Sequence, residues 1–245
     1  QGRFLFLRAG SHRLYWTEPL ANMLDGSGDI VISGTAYVSA ENEPDYAVDG
    51  VVWGDRIAVG GTRTVELFVP TGTETAAYAP LVGSTVSRGV FGTGAMCVWD
   101  NQLCWVSPER AIWRWPGNQD DKLSNSGIEE KLRSYTGVSL ASFFFDGREF
   151  LHVFENNGSG APNGSGDPDL LLDASTGEWC EWETSGVAFD GGHSTRDPAT
   201  DYPIFGAKTD SRVLGMSYNT TLPGGTWEST VENRCRFGIP IAGGS

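Results

Sequence analysis

A tight-turn marker recurs along this chain at a nearly constant interval, and that interval constrains the fold more than any single residue does. Trp53-Gly54-Asp55-Arg56, Trp99-Asp100-Asn101-Gln102, Phe145-Asp146-Gly147-Arg148 and Phe189-Asp190-Gly191-Gly192 each join an aromatic residue to a turn, and their aspartates lie 45, 46 and 44 residues apart. One period back from Asp55 lies Gly10, between the apolar runs Phe4-Leu5-Phe6-Leu7 and Leu14-Tyr15-Trp16. The pattern reads as five copies of one unit. A period of about 40 to 50 residues with several short strands per copy is the sequence mark of a β-propeller.

In three copies the turn is clearly flanked by apolar strands, as Ala95-Met96-Cys97-Val98 and Leu103-Cys104-Trp105-Val106 flank Asp100-Asn101, so it reads as a hairpin at the centre of a blade. A further apolar element follows each hairpin: Val65-Glu66-Leu67-Phe68, Ala111-Ile112-Trp113-Arg114-Trp115, Leu170-Leu171-Leu172 and Val213-Leu214-Gly215-Met216. Three to four strands per copy make one blade. The expectation is an all-β, single-domain propeller spanning 1–245, of about five blades, either whole or a fragment of a larger propeller protein. Its units run approximately 1–47, 48–94, 95–140, 141–186 and 187–230, and 231–245 serves as a ring-closing or exit strand. A short helix is expected near 126–135, with Ser126 and Glu129 as capping pair, Lys131 and Arg133 late, Gly137 as terminator, and Ile128 and Leu132 holding it to the sheet.

Composition suits that architecture. The 245 residues include 33 glycines, 12 prolines, 9 tryptophans and 12 phenylalanines, as a protein of many turns and aromatic-packed sheets requires. No apolar run is long enough for a transmembrane helix, and no signal peptide is evident. The opening at Gln1, directly in a strand, reads as part of a longer or processed protein. Asn156 to Pro168 carries too little apolar content to fold and is expected to be a mobile surface loop. With 31 acidic residues the net charge is −14, and no basic stripe offers phosphate a grip, so direct DNA binding is disfavoured.

Candidate chemistry is sparse. A glycosidase needs two carboxyls about 5 to 10 Å apart, and Asp55, Asp100, Asp146 and Asp190 offer themselves, yet recurrence in every copy is what turn chemistry predicts. Asp167, Asp169 and Asp173 only superficially resemble a calcium loop, since Pro168 and Leu170-Leu171-Leu172 interrupt it. His12, His152 and His193 lack any partner signature. His152 reads as a sheet residue, and His193 lies on a polar loop. Cys97 and Cys104 face each other across the hairpin, as two buried thiols or as a disulfide. The sequons at Asn157, Asn163 and Asn219 are of the kind chance supplies. No catalytic, cofactor-binding or metal-binding residue and no cofactor is expected, so the chain reads as a non-enzyme. The alternative is a carbohydrate-binding or glycoside-cleaving propeller.

Asp55 to Phe68 resembles a blade of the packaged-DNA stabilisation proteins, the tail hub or nozzle proteins of short-tailed bacteriophages. The likeness continues through Gly89-Val90-Phe91-Gly92, Val98 to Val106, Lys122 to Glu129, Asp173-Ala174-Ser175-Thr176-Gly177-Glu178-Trp179 and Ser211 to Met216, over most of 1–240. The resemblance implies a virion structural protein, assembled in the host cytoplasm. As partners it implies further copies of itself in a homo-hexameric ring, the head-to-tail adaptor ring, and tail needle or fibre proteins. Packaged DNA would pass through the lumen without specific binding, and no membrane insertion is implied. The family carries no catalytic or cofactor residue over to this chain.

Overall fold

The computed structural model describes residues 2–8, 10–40, 45–73, 76–156, 169–184, 189–196, 203–207, 213–219, 226–229 and 233–240. The chain divides into two compact units, Gln1–Phe91 and Gly92–Ser245. Among the described residues all sheet pairings are antiparallel, as meanders with short connections require.

The first unit holds two sheets. The first is three-stranded, in the order β1 (Leu5–Leu7), β2 (Arg13–Trp16), β3 (Tyr37–Ser39). The other is four-stranded: β4 (Ala47–Trp53), β5 (Arg56–Gly61), β6 (Val65–Pro70), β7 (Tyr78–Pro80). Leu14, Ile57, Val59 and Phe68 form the buried contact between them, joined by Leu5, Leu7 and Val38. Fully burying such a side chain stabilises by about 1.5–3 kcal/mol. Trp16, Ala36 and Ala77 form a second cluster, with the Trp16 and Tyr78 rings edge to face at 5.4 Å.

In the second unit, β8 (Met96–Trp99), β9 (Gln102–Val106), β10 (Ile112–Trp115) and β11 (Asp121–Lys122) form a four-stranded sheet. Helix α1 (Ser126–Ser134) follows. A nine-stranded sheet then contains two meanders, β12 (Gly137–Phe145) to β13 (Arg148–Asn156), β14 (Asp169–Asp173) and β15 (Trp179–Thr184), and β16 (Phe189–Arg196) to β17 (Pro203–Ala207), β18 (Val213–Asn219) and β19 (Thr226–Ser229). Strand β20 (Asn233–Pro240) joins them, pairing with β15 on one side and β19 on the other. Trp105, Leu103, Ile112, Phe154 and Trp182 are among the fully buried side chains of this unit.

The expected all-β meanders are present, and each further apolar element expected from the sequence is a third strand: β6, β10, β14 and β18. The hairpins β4–β5, β8–β9 and β12–β13 each join a first to a second strand, at an edge of their sheets and not at the centre of a blade as expected. Two other expectations are corrected. Asp190 lies inside β16, where the pairing steps from Asp190↔Gly206 to Thr195↔Ile204, so Asp190-Gly191-Gly192 is an irregularity of a strand and not a hairpin. Helix α1 is capped one residue earlier than expected: Asn125 Oδ1 accepts from Ile128 N, and Gly137 begins β12. Ile128 and Leu132 are fully buried, as their spacing required.

Candidate functional site

The residues singled out in the sequence fall into three groups: turn aspartates, buried polar residues, and tied cations. The turns Gly54-Asp55, Asp100-Asn101 and Asp146-Gly147 are two-residue hairpins closed by Trp53↔Arg56, Trp99↔Gln102 and Phe145↔Arg148. Asp100 and Asn101 have φ of 49° and 55°, and Asp146 has 49° before Gly147 at 72°, the doubly left-handed pattern that suits the twist of paired strands. Asp100 and Asp146 therefore recur because they tolerate that backbone, whereas in the first of these turns Gly54, at φ 61°, takes the left-handed position. In the second unit Ser142 Oγ donates to Val98 O at 2.7 Å and Leu140 N to Gly94 O, so β8 and β12 run in the same direction and the 100–101 and 146–147 turns share a rim.

Gly10 belongs to a different position from the one its spacing suggested. Ala47 N donates to Ser11 O, and Leu7 Cδ1 lies 3.1 Å from where a Cβ on Gly50 would sit, so β1 and β4 run in opposite directions. The Gly10 turn thus lies beside the β5–β6 turn, at the end opposite Gly54-Asp55. By direction and order, β1, β2 and β3 correspond to the second, third and fourth strands of the next sheet.

Asp45 anchors that β5–β6 turn. Its carboxylate accepts from Thr62 N at 2.8 Å, Arg63 N at 2.7 Å and Thr64 N at 2.9 Å, and from the Thr62 hydroxyl. Burial works against its charge, but these donors outweigh it and hold the carboxyl below its usual range.

His152 is a core residue. It is fully buried, its Nε2 lies 2.8 Å from Asp169 Oδ2, and its ring packs at 4.8 Å from Trp182 and 5.0 Å from Phe154. Asp173, at the far end of β14, instead accepts from Ser175 and from Arg148 at 3.0 Å. These two aspartates serve different partners, and among the described residues no group of three or more His, Cys, Asp or Glu converges as a metal site. Asp167, Asn157, Asn163 and the rest of residues 157–168, expected from the sequence to form a loop, lie outside the described residues, as do the side chains of Asp190, His193 and Asn219. Cys97 and Cys104 are paired in register as buried thiols and not as a disulfide. Burial pushes the Cys104 thiol far up, and that of Cys180 up to about 11, with Asp173 adding to it.

One carboxyl was missed by sequence reasoning. Glu149 is pushed up chiefly by burial, with the Asp100 charge adding to the effect and the Asp100 backbone opposing it. It lies outside every repeated motif, so only three-dimensional proximity reveals it.

The cations are largely engaged. Arg56 Nε lies 3.6 Å from Asp55, Arg114 3.7 Å from Asp121, and Lys131 Nζ 2.6 Å from Glu181. Lys122 and Arg133 both reach Glu129, at 2.9 and 3.8 Å. Burial works against the Glu129 charge, yet Lys122, Ser124 and Arg133 hold its carboxyl below the usual range. Arg110 donates to the carbonyls of Leu132 and Tyr135 at 2.9 and 2.8 Å, closing the C-terminal end of α1. Exposed ion pairs of this kind add little stability. They do remove cationic charge that phosphate would otherwise meet.

Among the described residues no helix is long and apolar enough to cross a membrane. A family model described as Bacteriophage P22 Gp10, beta-propeller, matches residues 2–153. The chain is also similar to the tail hub protein gp10 of Salmonella phage P22, with 27% identity over 148 residues. That match covers 53% of this chain and 31% of the phage protein, so the chain spans about a third of the length of the curated relative it matches.

Proposed function

The chain belongs to the Bacteriophage P22 Gp10 β-propeller family, and from that premise we propose that it is a structural component of a phage tail. In this reading it forms part of the hub or nozzle below the head-to-tail connector, retains packaged DNA and lines part of the ejection conduit. It assembles with copies of itself in a homo-hexameric ring that meets the adaptor ring and the tail needle or fibre proteins. It is a virion protein that performs no catalysis and holds no cofactor. The family match across residues 2–153 carries the reading.

The charge state supplies a physical consequence. A net charge of −14 per chain, with Arg56, Arg110 and Arg114 tied to acids or carbonyls, favours a conduit wall that repels phosphate and leaves the duplex free to slide. A basic wall would hold DNA through counterion release. The test is duplex binding by the full-length protein between about 50 and 200 mM salt, the range over which phosphate contacts weaken steeply. The reading expects no salt-sensitive binding. Affinity that falls steeply with salt would overturn the repelling wall.

One observation favours a second reading. Burial, with the Asp100 charge adding to it, raises the Glu149 carboxyl in the direction a general acid of a glycoside-cleaving propeller would need. Glycan turnover lost in Glu149→Gln would support it, and the structural reading expects no turnover in either protein.

A further inference from the structure

The connection from β2 to β3 runs over residues 17–36, where the corresponding connections β6–β7, β10–β11 and β14–β15 take only 71–77, 116–120 and 174–178. A connection of that length in a compact domain is an uncommon feature with a use. Its outer part is built as a finger. Leu24 and Ile30 form an antiparallel bridge, Val31 N donates to Met23 O at 2.8 Å, and Asp25 N donates to Asp29 O at 2.9 Å. The Asp25 carboxylate closes the turn, accepting from Ser27 N and Asp29 N at 2.8 and 3.0 Å.

The bonds on either side of Leu24 and Ile30 make them a non-hydrogen-bonded pair, so their side chains stand close together on one face, and Ile32, two residues on, shares it. These three side chains are 54%, 51% and 43% exposed, whereas Met23 and Val31, on the other face, are half-buried. A two-stranded hairpin is marginal by itself and is stabilised when its apolar face packs against a helix or further strands. Here that face is turned to solvent.

Charge narrows the partner. Residues 17–36 contain Glu18, Asp25 and Asp29 and no Lys or Arg. Glu18 lies 4.0 Å from Arg3, but Asp25 and Asp29 stand exposed at the tip of the finger. The backbone N–H of Asp29, and after it that of Ser27, hold the Asp25 carboxyl below its usual range, so the tip stays anionic.

We propose that the face formed by Leu24, Ile30 and Ile32 docks an amphipathic helix of another protein, one whose apolar stripe is flanked by lysine or arginine. A helix lying across the face covers all three side chains at once, whereas a strand added along an edge of the finger would pair its backbone and leave them in water. Basic flanks gain from Asp25 and Asp29, whereas a second copy of this chain, with a net charge of −14, would bring acid to acid. The docking does not require a ring, since a monomer carries the whole finger, so either claim can fail without the other.

The probe is a helical peptide of about 18 residues made of leucine and lysine, long enough to hold a helix, with leucines at i, i+3, i+4 and i+7. It is titrated against the full chain by calorimetry, with hydrogen exchange followed at the Leu24 and Ile30 amides. Saturable binding with slowed exchange at those amides is expected. Leu24→Ser with Ile30→Ser should weaken binding at least ~10-fold. Val82→Ser, at a side chain 96% exposed and outside the finger, should leave it unchanged. A counterpart peptide with glutamate in place of lysine should bind ~10-fold more weakly. Asp29→Asn keeps the apolar face and should weaken only the lysine peptide, which carries the test if the serine variants lower the melting temperature. No binding, unchanged exchange, equal affinity for the glutamate peptide, or tighter binding of an extended leucine–lysine peptide would overturn the proposal. So would a fall in the solution mass of the chain alone on Leu24→Ser, which would make a second copy the occupant.

Discussion

Gly89 shows how a residue without chemistry can be required. A Cβ there would lie 2.1 Å from Thr62 O and 2.5 Å from Arg63 N, both backbone atoms of the β5–β6 turn. The neighbouring Val90 N donates to Gly61 O, so the segment is held against that turn and has no room to shift. Gly89→Ala should destabilise the protein by about 2–4 kcal/mol, more than the usual overpacking cost because the clash is with backbone. Chemical denaturation of the variant measures it. Asp45, which anchors the same turn from just before β4, makes a pH prediction. Its folded-state pKa is depressed, so its contribution is present above the unfolded value of about 3.9 and is lost as pH falls through the folded value. Acid titration of stability should therefore flatten below about pH 4 in Asp45→Ala relative to the parent. Identical profiles would remove Asp45 as the anchor. The sequence revealed neither role: Gly89 was one glycine among 33, and Asp45 lay in an acidic linker with nothing to mark its donors.

At the scale of elements, three hairpins were legible because two-residue turns demand residues that accept positive φ, and Gly54, Asp100-Asn101 and Asp146-Gly147 supply them. The same signal misled at Gly10, whose φ of 65° marks a tight turn without saying which pair of strands it joins. Direction relative to β4 decides that, and direction is a tertiary property. Asp190-Gly191-Gly192 misled for a related reason, since glycines also accompany strand irregularities. For α1 the pattern of Ile128 and Leu132 located the helix, while Asn125 and Ser126 both had cap chemistry and only geometry chose Asn125. Asn125→Ala should cost about 0.5–2 kcal/mol, and Ser126→Ala much less. Thermal melts of the two variants check the assignment, and the reverse order would contradict it.

For the whole molecule, the fold and the structural reading were legible because a repeat and a family resemblance extend over most of the chain. The site-level account was thinner, since among the described residues no group of three or more His, Cys, Asp or Glu converges in one place. What the molecule offers partners is a set of edges, rims and charges, and those depend on neighbours that sequence order does not reveal. Glu149 beside Asp100 is of this kind. The central claim, that the protein is a tail component working as a ring, is tested most directly by electron microscopy of the full-length protein purified at native concentration. The account predicts closed homo-oligomeric rings with an open lumen on the axis, most of them hexameric. Uniform monomers, each with a closed pocket on its own axis, would contradict it.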